Sequence, residues 1–150
     1  MRRAHGSVVG VLAVAVALGL PGLLGAGDGP VARPFKGSAQ GCITAQIPTN
    51  GLFLEMSGRA THLGHFTREE VAYLGADGSV VGTIIFTAAD GDQLWVEIYG
   101  AFTTATDVVG RYIITGCTGR FRGATGEAAF QAYTPDFVYG EVTFKGTIRY

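Results

Sequence analysis

The sequence predicts an all-β fold, a single closed antiparallel barrel of about eight strands in meander order with little or no helix. Apolar and polar residues alternate with the period of a strand, most cleanly over Tyr139–Tyr150. Asn-Gly and Asp-Gly turn signals separate the alternating segments. These two observations also fit a sandwich, but glycines repeated inside the strands favour a barrel, because closure bends each strand sharply.

The first 29 residues have the three parts of a secretory signal peptide. Arg2 and Arg3 supply a positive start, Val8–Leu20 is an uncharged apolar run, and small residues follow through Gly25-Ala26-Gly27. Cleavage is expected between Ala26 and Gly29. The run is shorter than the roughly 20 residues of a comfortable membrane span. We therefore expect a secreted or extracytoplasmic domain over residues 30–150, with no membrane contact after cleavage; a retained membrane anchor is the alternative interpretation.

The 121 residues after Gly29 have the size of one ordinary domain. They hold nine Lys or Arg and eleven Asp or Glu, with the two signs interspersed. No basic face is predicted from this pattern, so nucleic acid is not an expected partner. Seventeen of these residues are glycine, about twice the average share of roughly 7%.

The strands can be placed in order along the chain. Residues 31–35 are predicted to be an extended leader, and Cys42–Ile47 the first strand, followed by an Asn-Gly hairpin turn. Alternation then runs through Leu52–Phe66, which is long for one strand, so an internal glycine must bend it.

Thr67-Arg68-Glu69-Glu70 resembles a helix capping box. Gly75 leaves room for only one or two turns, so we prefer a strand over Phe66–Tyr73. Asp-Gly pairs then mark two further turns. The remaining strands are predicted over residues 79–87, 93–102, 108–115, 125–133 and 139–150.

A glycine-rich corner separates the strands that end near Thr115 and begin near Thr125. Phe121, its only bulky apolar side chain, is predicted to turn inward as a plug. The Gly-Cys-Thr-Gly-Arg sequence could instead bind a phosphate, but no Gly-Lys-Ser/Thr and no helix follow, so we favour a structural corner. Its structural residues are Gly116, Gly119, Arg120, Phe121, Gly123 and Gly126.

The corner Thr118–Gly126 is similar to the Gly-Thr-Gly-Lys/Arg-Phe-x-Gly-Ala-x-Gly signature of plant dirigent proteins and of secreted bacterial proteins related to the allene oxide cyclase barrel. The bacterial resemblance extends to Ser57–Gly64, Phe86–Asp92 and Gly146–Tyr150, and departs at Cys117, where glycine is usual. It implies a barrel whose lumen holds a small, largely apolar molecule and guides its cyclisation or coupling without a cofactor. It also suggests a homo-oligomer, a dimer or trimer.

Cys42 and Cys117 are the two cysteines of a chain that is expected to leave the cytoplasm. Because cysteines tend to pair in an oxidising compartment, they are predicted to form one disulfide. Two separate buried thiols are the alternative. A metal site is not expected, because His62 and His65 would lie on opposite faces of a strand and no other ligands cluster with them.

Trp95, Glu97 and Tyr99 share one face of a predicted strand. If that face lines the lumen, it makes an aromatic-walled pocket with one carboxylate; if it faces outward, it is an oligomer contact or a solvated surface. Other polar residues near strand centres are equally undecided. The candidate catalytic residues are Glu55, His62, Glu97 and Tyr112, and the candidate ligand-binding residues are Arg59, Trp95, Tyr99, Glu127 and Tyr133.

Three functions are compatible with the sequence, which has no signature of a hydrolase or metalloenzyme. The first is a barrel that binds a small molecule and guides its cyclisation or coupling by orientation. The second is a carrier without chemistry, and the third is a structural or interaction protein with a filled lumen. A lumen cavity of about 300 Å³ or more would favour a ligand.

Overall fold

The computed structural model describes residues 29–150, which form a closed barrel of eight antiparallel strands in meander order. This confirms the predicted fold class. Of the predicted signal peptide, only Gly29 falls within the described residues. The strands are β1 (Ala32–Ile47), β2 (Gly51–Ala60), β3 (Gly64–Leu74), β4 (Ser79–Ala88), β5 (Gln93–Phe102), β6 (Asp107–Cys117), β7 (Thr125–Tyr133) and β8 (Tyr139–Arg149).

The first strand is longer than the sequence predicts. It begins at Ala32, so the expected extended leader over residues 31–35 is part of β1. The reason is closure, because β8 pairs with β1 from Ala32 opposite Arg149 to Cys42 opposite Tyr139. A partner more than a hundred residues away leaves no trace in the local pattern.

The alternating run over Leu52–Phe66 is two strands rather than one bent strand. β2 ends at Ala60 and β3 begins at Gly64. The turn between them places His62 at φ 68° and Gly64 at φ 66°, both in the left-handed region. The alternation continues through the turn, and this hides the turn in the sequence.

Alternate side chains of the strands point into the barrel and form its core. One half of the lumen is filled by aromatic rings that pack edge-on or tilted, with centroids 5.0 Å apart for Phe35 and Phe144 and 5.2 Å for Phe66 and Phe86. We call the rim of the barrel next to this half the closed end. It carries the turns at residues 61–63, 89–92 and 118–124, and the opposite rim, the open end, carries those at 48–50, 75–78, 103–106 and 134–138.

The glycine corner seals the closed end. A short 3-10 helix, Gly119–Phe121, turns the Phe121 ring inward, where it is fully buried and packs edge-on against Tyr150 at 5.5 Å. Gly119 has φ 56°, and a Cβ there would lie 1.6 Å from Asp92 Oδ1. Only glycine lets the Asp92 carboxylate approach this closely.

Arg120 ties three turns of the closed end together. Its guanidinium pairs with Asp90, lies 3.5 Å from Asp92 Oδ2 and donates to the His62 carbonyl at 2.9 Å. The Arg120 backbone N–H also donates to Asp92 Oδ2, at 3.0 Å. The anion that this Gly-Cys-Thr-Gly-Arg loop binds is therefore a carboxylate of its own chain.

The predicted disulfide is wrong, because Cys42 and Cys117 are both free. Cys42 lies on the outer face of β1, whereas Cys117 packs against the core at the end of β6. In the closed sheet β1 neighbours β2 and β8, and β6 neighbours β5 and β7. The two sulfurs are thus on different sides of the barrel and beyond bonding reach.

No helix in residues 29–150 has the length and hydropathy that a membrane-spanning helix needs.

Candidate functional site

A cavity of about 80 Å³ lies in the half of the lumen next to the open end. Its walls are mostly aliphatic and aromatic, as expected of a small-molecule site. Arg68 and Glu70 are the charged side chains that line its deeper part, since β3 runs from the closed end towards the open end. The apolar wall includes Leu54, Met56, Ile98, Phe130 and Val142.

Arg68, Glu70 and Tyr112 form a polar cluster inside the barrel, which we call the lumen triad. The Arg68 side chain is only 4% exposed; it pairs with the Glu70 carboxylate and donates from Nη1 to the Tyr112 hydroxyl at 2.9 Å. The guanidinium also lies over the Tyr112 ring, 5.4 Å from its centroid. The Tyr112 ring in turn stacks on Phe130 at 4.5 Å.

The protonation states of the triad follow from its burial and its charges. Burial by itself lowers the pKa of Arg68, but the Glu70 carboxylate and the Tyr112 hydroxyl more than offset it, so the pKa of Arg68 is raised. For Tyr112, burial is the largest effect and raises the pKa of the hydroxyl, and the Arg68 charge offsets only part of this rise. Arg68 therefore stays cationic and Tyr112 keeps its proton at neutral pH.

The triad retains unused hydrogen-bond donors. Arg68 Nε is buried and has no hydrogen-bond partner among the described residues. The Tyr112 hydroxyl accepts from Arg68, and no group in residues 29–150 accepts its own proton. Buried donors normally have partners. A ligand oxygen is the kind of group that would fill this gap.

The mouth of the cavity is covered by the segment between β7 and β8. Phe137 in this segment lines the cavity, is 44% exposed and adopts φ 57°, a strained conformation for a bulky residue. Its ring meets Phe102 at a centroid distance of 5.8 Å. Asp136 fixes the turn by accepting 2.9 Å bonds from the N–H groups of Val138 and Tyr139.

One of the sequence-predicted site residues, Tyr133, lines the mouth of the cavity with part of its ring in solvent. Tyr112 does not line the cavity, but its hydroxyl accepts a hydrogen bond from Arg68, which does. His62 lies instead at the closed end, where its Nε2 donates to the Pro34 carbonyl at 3.0 Å and its Nδ1 accepts from Tyr150 at 3.0 Å.

The other candidates lie on the outside of the barrel. The face of β5 that carries Trp95, Glu97 and Tyr99 points outward, which decides between the two orientations left open by the alternation. The Tyr99 hydroxyl donates to Glu97 at 2.7 Å there. Glu55, Arg59 and Glu127 are likewise on outer faces, of β2 and β7.

The sequence analysis missed Arg68 and Glu70. Interpreting Thr67-Arg68-Glu69-Glu70 as a possible helix cap drew attention away from the strand faces. In a strand, Arg68 and Glu70 alternate with exposed residues and share a face with Phe66 and Ala72. Two charges on an otherwise apolar face are a signal of a buried ion pair.

Within residues 29–150, no group of three His, Cys, Asp or Glu side chains could hold a metal ion.

Comparison with known proteins relates the chain to others by fold. No protein-family model and no curated protein sequence matches it. Two solved structures of pterocarpan synthase dirigent proteins do, each at 12% sequence identity. The match to PsPTS1 has a TM-score of 0.58 and covers 81% of this chain and 97% of that protein; the match to GePTS1 has a TM-score of 0.60 and covers 91% and 99%. The chain therefore has the eight-stranded barrel fold of the dirigent proteins.

Proposed function

We propose that this protein is an extracytoplasmic barrel that binds a small, largely apolar molecule at the open end of its lumen and guides its cyclisation or coupling. The ligand carries an oxygen that accepts hydrogen bonds from the lumen triad. No cofactor is needed for this role, because the protein contributes shape and hydrogen bonds, and selectivity arises from orientation.

The observation that carries the proposal is the buried lumen triad with its unused donors. Removing two charges from water costs several kcal/mol per ion, and well-packed apolar residues often serve stability as well or better. The aromatic half of the same lumen shows that this chain can fill its interior without charges. The ion pair beside the cavity is thus better explained by binding than by folding.

The chemistry of the triad defines the ligand. Arg68 lines the cavity and supplies N–H donors, so the group it would hold is a carbonyl, a phenolic oxygen or a developing oxyanion. Tyr112 holds the guanidinium in place from behind. The aliphatic walls require the rest of the molecule to be apolar. A charge that develops on this oxygen would be stabilised by the nearby guanidinium in a poorly solvated site.

The volume of the cavity sets a condition on the proposal. About 80 Å³ is below the roughly 300 Å³ of ordinary ligand pockets. A ligand can therefore place only its oxygen-bearing end in the cavity unless the segment of residues 134–138 moves outward. Phe137, which is strained and half exposed, is the residue whose displacement would enlarge the site.

A competition experiment tests binding. A fluorescent naphthalene sulfonate is first bound to the protein. Acetophenone or its isosteric hydrocarbon, α-methylstyrene, is then added, and the loss of fluorescence measures the affinity of each competitor. We expect the ketone to bind about tenfold more tightly or better, because the hydrocarbon leaves the triad donors unpaired. Glu97→Gln, on the outer wall, is the matched control and should keep this preference. Equal affinities, or no displacement by either compound, would contradict the proposal.

A filled barrel with a structural or interaction role is the second candidate, and the small cavity is the observation that favours it. The double variant Arg68→Met with Glu70→Leu separates the two. In a filled barrel neither the wild type nor this variant prefers the ketone to the hydrocarbon. In a binding barrel it folds but no longer prefers the ketone to the hydrocarbon.

Catalysis and carriage are separated by the stereochemistry of a product. Substrates that cyclise or couple spontaneously give a racemic mixture, and a guiding lumen enriches one enantiomer. Chiral chromatography with and without the protein measures the enrichment. Product ratios that equal those without protein would leave only the carrier role.

A further inference from the structure

A groove rich in basic side chains crosses the outer wall near the closed end. It has a volume of about 680 Å³ and lies over β8, β1, β2 and β3. Three permanent cations and one imidazole line it: Lys145, Lys36, Arg59 and His65. We call this surface the basic groove. It could not be predicted from the sequence, because the four residues come from four different strands.

Strand register brings the four side chains into one row. Lys36 on β1 stands directly opposite Lys145 on β8, and Arg59 on β2 directly opposite His65 on β3. Since Ser38 is the residue opposite Arg59, Lys36 is the diagonal neighbour of Arg59. With strands about 4.8 Å apart, the row spans roughly 14 Å.

This arrangement works against the stability of the sheet. Like charges directly opposite each other on neighbouring strands are destabilising, and Lys36 faces Lys145 in this way. Arg59 Nη2 contacts His65 Nε2, so the guanidinium has an imidazole beside it in place of a carboxylate. Among the ion pairs of residues 29–150, none involves any of the four.

Carboxylates lie at the margins of the groove. Glu127 is the diagonal neighbour of Lys145, because Ala129 stands opposite that lysine. Glu55 and Glu69 are four residues along their strands from Arg59 and His65, which is about 13 Å. The groove itself adds the hydroxyl of Ser38 to its basic side chains, whereas the Thr61 hydroxyl there already donates to the Pro34 carbonyl at 2.9 Å.

We propose that the basic groove binds an oxyanion, a phosphate or sulfate group, and binds linked oxyanions better than single ones. Lys36, Lys145 and Arg59 supply charge, and the Ser38 hydroxyl supplies a further hydrogen bond. A row of roughly 14 Å is longer than one phosphate and matches two or three linked groups. The site is on the outside of the barrel and is independent of the function proposed for the lumen.

Calorimetric titration of the folded domain with sulfate, monophosphate and tripolyphosphate tests this inference. We expect tripolyphosphate to bind about tenfold more tightly than either single anion, and all three to weaken with added sodium chloride because exposed charges are screened. The single anions show whether the groove distinguishes phosphate from sulfate as the source of the oxyanion.

Variants locate the binding. Lys36→Gln and Arg59→Gln should each weaken tripolyphosphate binding about tenfold. Arg122→Gln removes the same charge from the exposed turn of residues 118–124 and should change the affinity less than about twofold. That turn leads into Thr125, which pairs with Arg149, four residues or about 13 Å along β8 from Lys145. Thermal melting of each variant checks folding, and Lys36→Gln should melt no lower than the wild type, since it relieves a like-charge pair.

Three results would overturn the inference. One is the absence of binding at millimolar anion. Another is an equal loss in the Arg122→Gln control, which would mean that the anion responds only to net charge. The third is association of the protein without any anion, seen by sedimentation, with the acidic Glu55 and Glu69 of a second copy filling the groove.

Discussion

The two ends of the barrel each have an arginine–carboxylate cluster, and the clusters serve different purposes. At the closed end the Arg120 side chain is 37% exposed and joins Asp90, Asp92 and the His62 carbonyl. Near the open end Arg68 is buried beside a cavity with Glu70 and Tyr112. The first cluster joins three turns; the second joins side chains of β3 and β6 inside the barrel.

This difference shows how to separate a structural ion pair from a functional one. An exposed pair is cheap to form and contributes about 0–1 kcal/mol, unless it also organises backbone as Arg120 does. A buried pair is costly to form and offers stability no advantage over apolar packing. Unused donors beside empty space, as at Arg68, then indicate a ligand. The four predictions below test this distinction.

The largest effect is expected from breaking the buried pair. Glu70→Leu leaves the Arg68 charge buried without its carboxylate and should lower the free energy of unfolding by about 4 kcal/mol. The double variant Arg68→Met with Glu70→Leu should recover most of this loss, because no charge remains to be buried. Urea denaturation measures both. A double variant as unstable as the single one would mean that the triad is structural.

Two glycines of the closed end make a matched pair. Gly119→Ala should cost about 3 kcal/mol, because the residue has positive φ and the new Cβ would displace the Asp92 carboxylate from Arg120. Gly123 also has positive φ, but nothing lies within 4 Å of the Cβ that alanine would add. Gly123→Ala should therefore lower the free energy of unfolding by only about 1 kcal/mol. Equal losses in denaturation would show that the Asp92 contact contributes nothing.

A pair of tyrosines compares the two ends directly. Tyr112→Phe removes an acceptor from buried Arg68 and should cost about 1–2 kcal/mol. It should also abolish much of the preference for ketone over hydrocarbon. Tyr150→Phe removes a bond to His62 at the closed end, should cost about 1 kcal/mol or less, and should leave that preference unchanged. If both variants lost it equally, the binding site would not be at the open end.

The smallest effect concerns the rim. Backbone N–H groups of Tyr139 and Val138 lower the pKa of Asp136. A lowered pKa means that the stabilisation is complete above the ordinary value of about 3.9 and is lost as the pH falls through the lower folded value. The amides of residues 134–138 should therefore lose protection in acid, when their exchange rates are compared with those of an unstructured peptide at the same pH. In Asp136→Asn this loss of protection should be absent, and its persistence would assign the acid response to another group.

The sequence was informative where structure is local. Asn50-Gly51, Asp77-Gly78 and Asp90-Gly91 mark turns through backbone preference alone, and the alternation between them defines strands. Which face of a strand points inward depends on the curvature of the whole sheet. The outward orientation of Trp95 and Tyr99 could therefore not be decided from β5 itself.

The candidate site was hidden for the same reason. Arg68 meets Tyr112 only because β3 and β6 face each other across the lumen, 44 residues apart in the chain. The pairing of β1 with β8 and the separation of the two cysteines also depend on closure. Contacts through the lumen, and rows across several strands, leave no periodic signal in a single sequence.

The Asp92 carboxylate that rests against Gly119 links two segments that otherwise look like separate motifs. Residues 86–92 and 118–126 depend on each other through this contact, so a change in either segment alone would break the Asp92–Arg120 interaction at the closed end. Related chains should keep or lose both segments together. An acidic residue two positions after the Asp90 equivalent should be replaced only where the small residue opposite it is replaced as well.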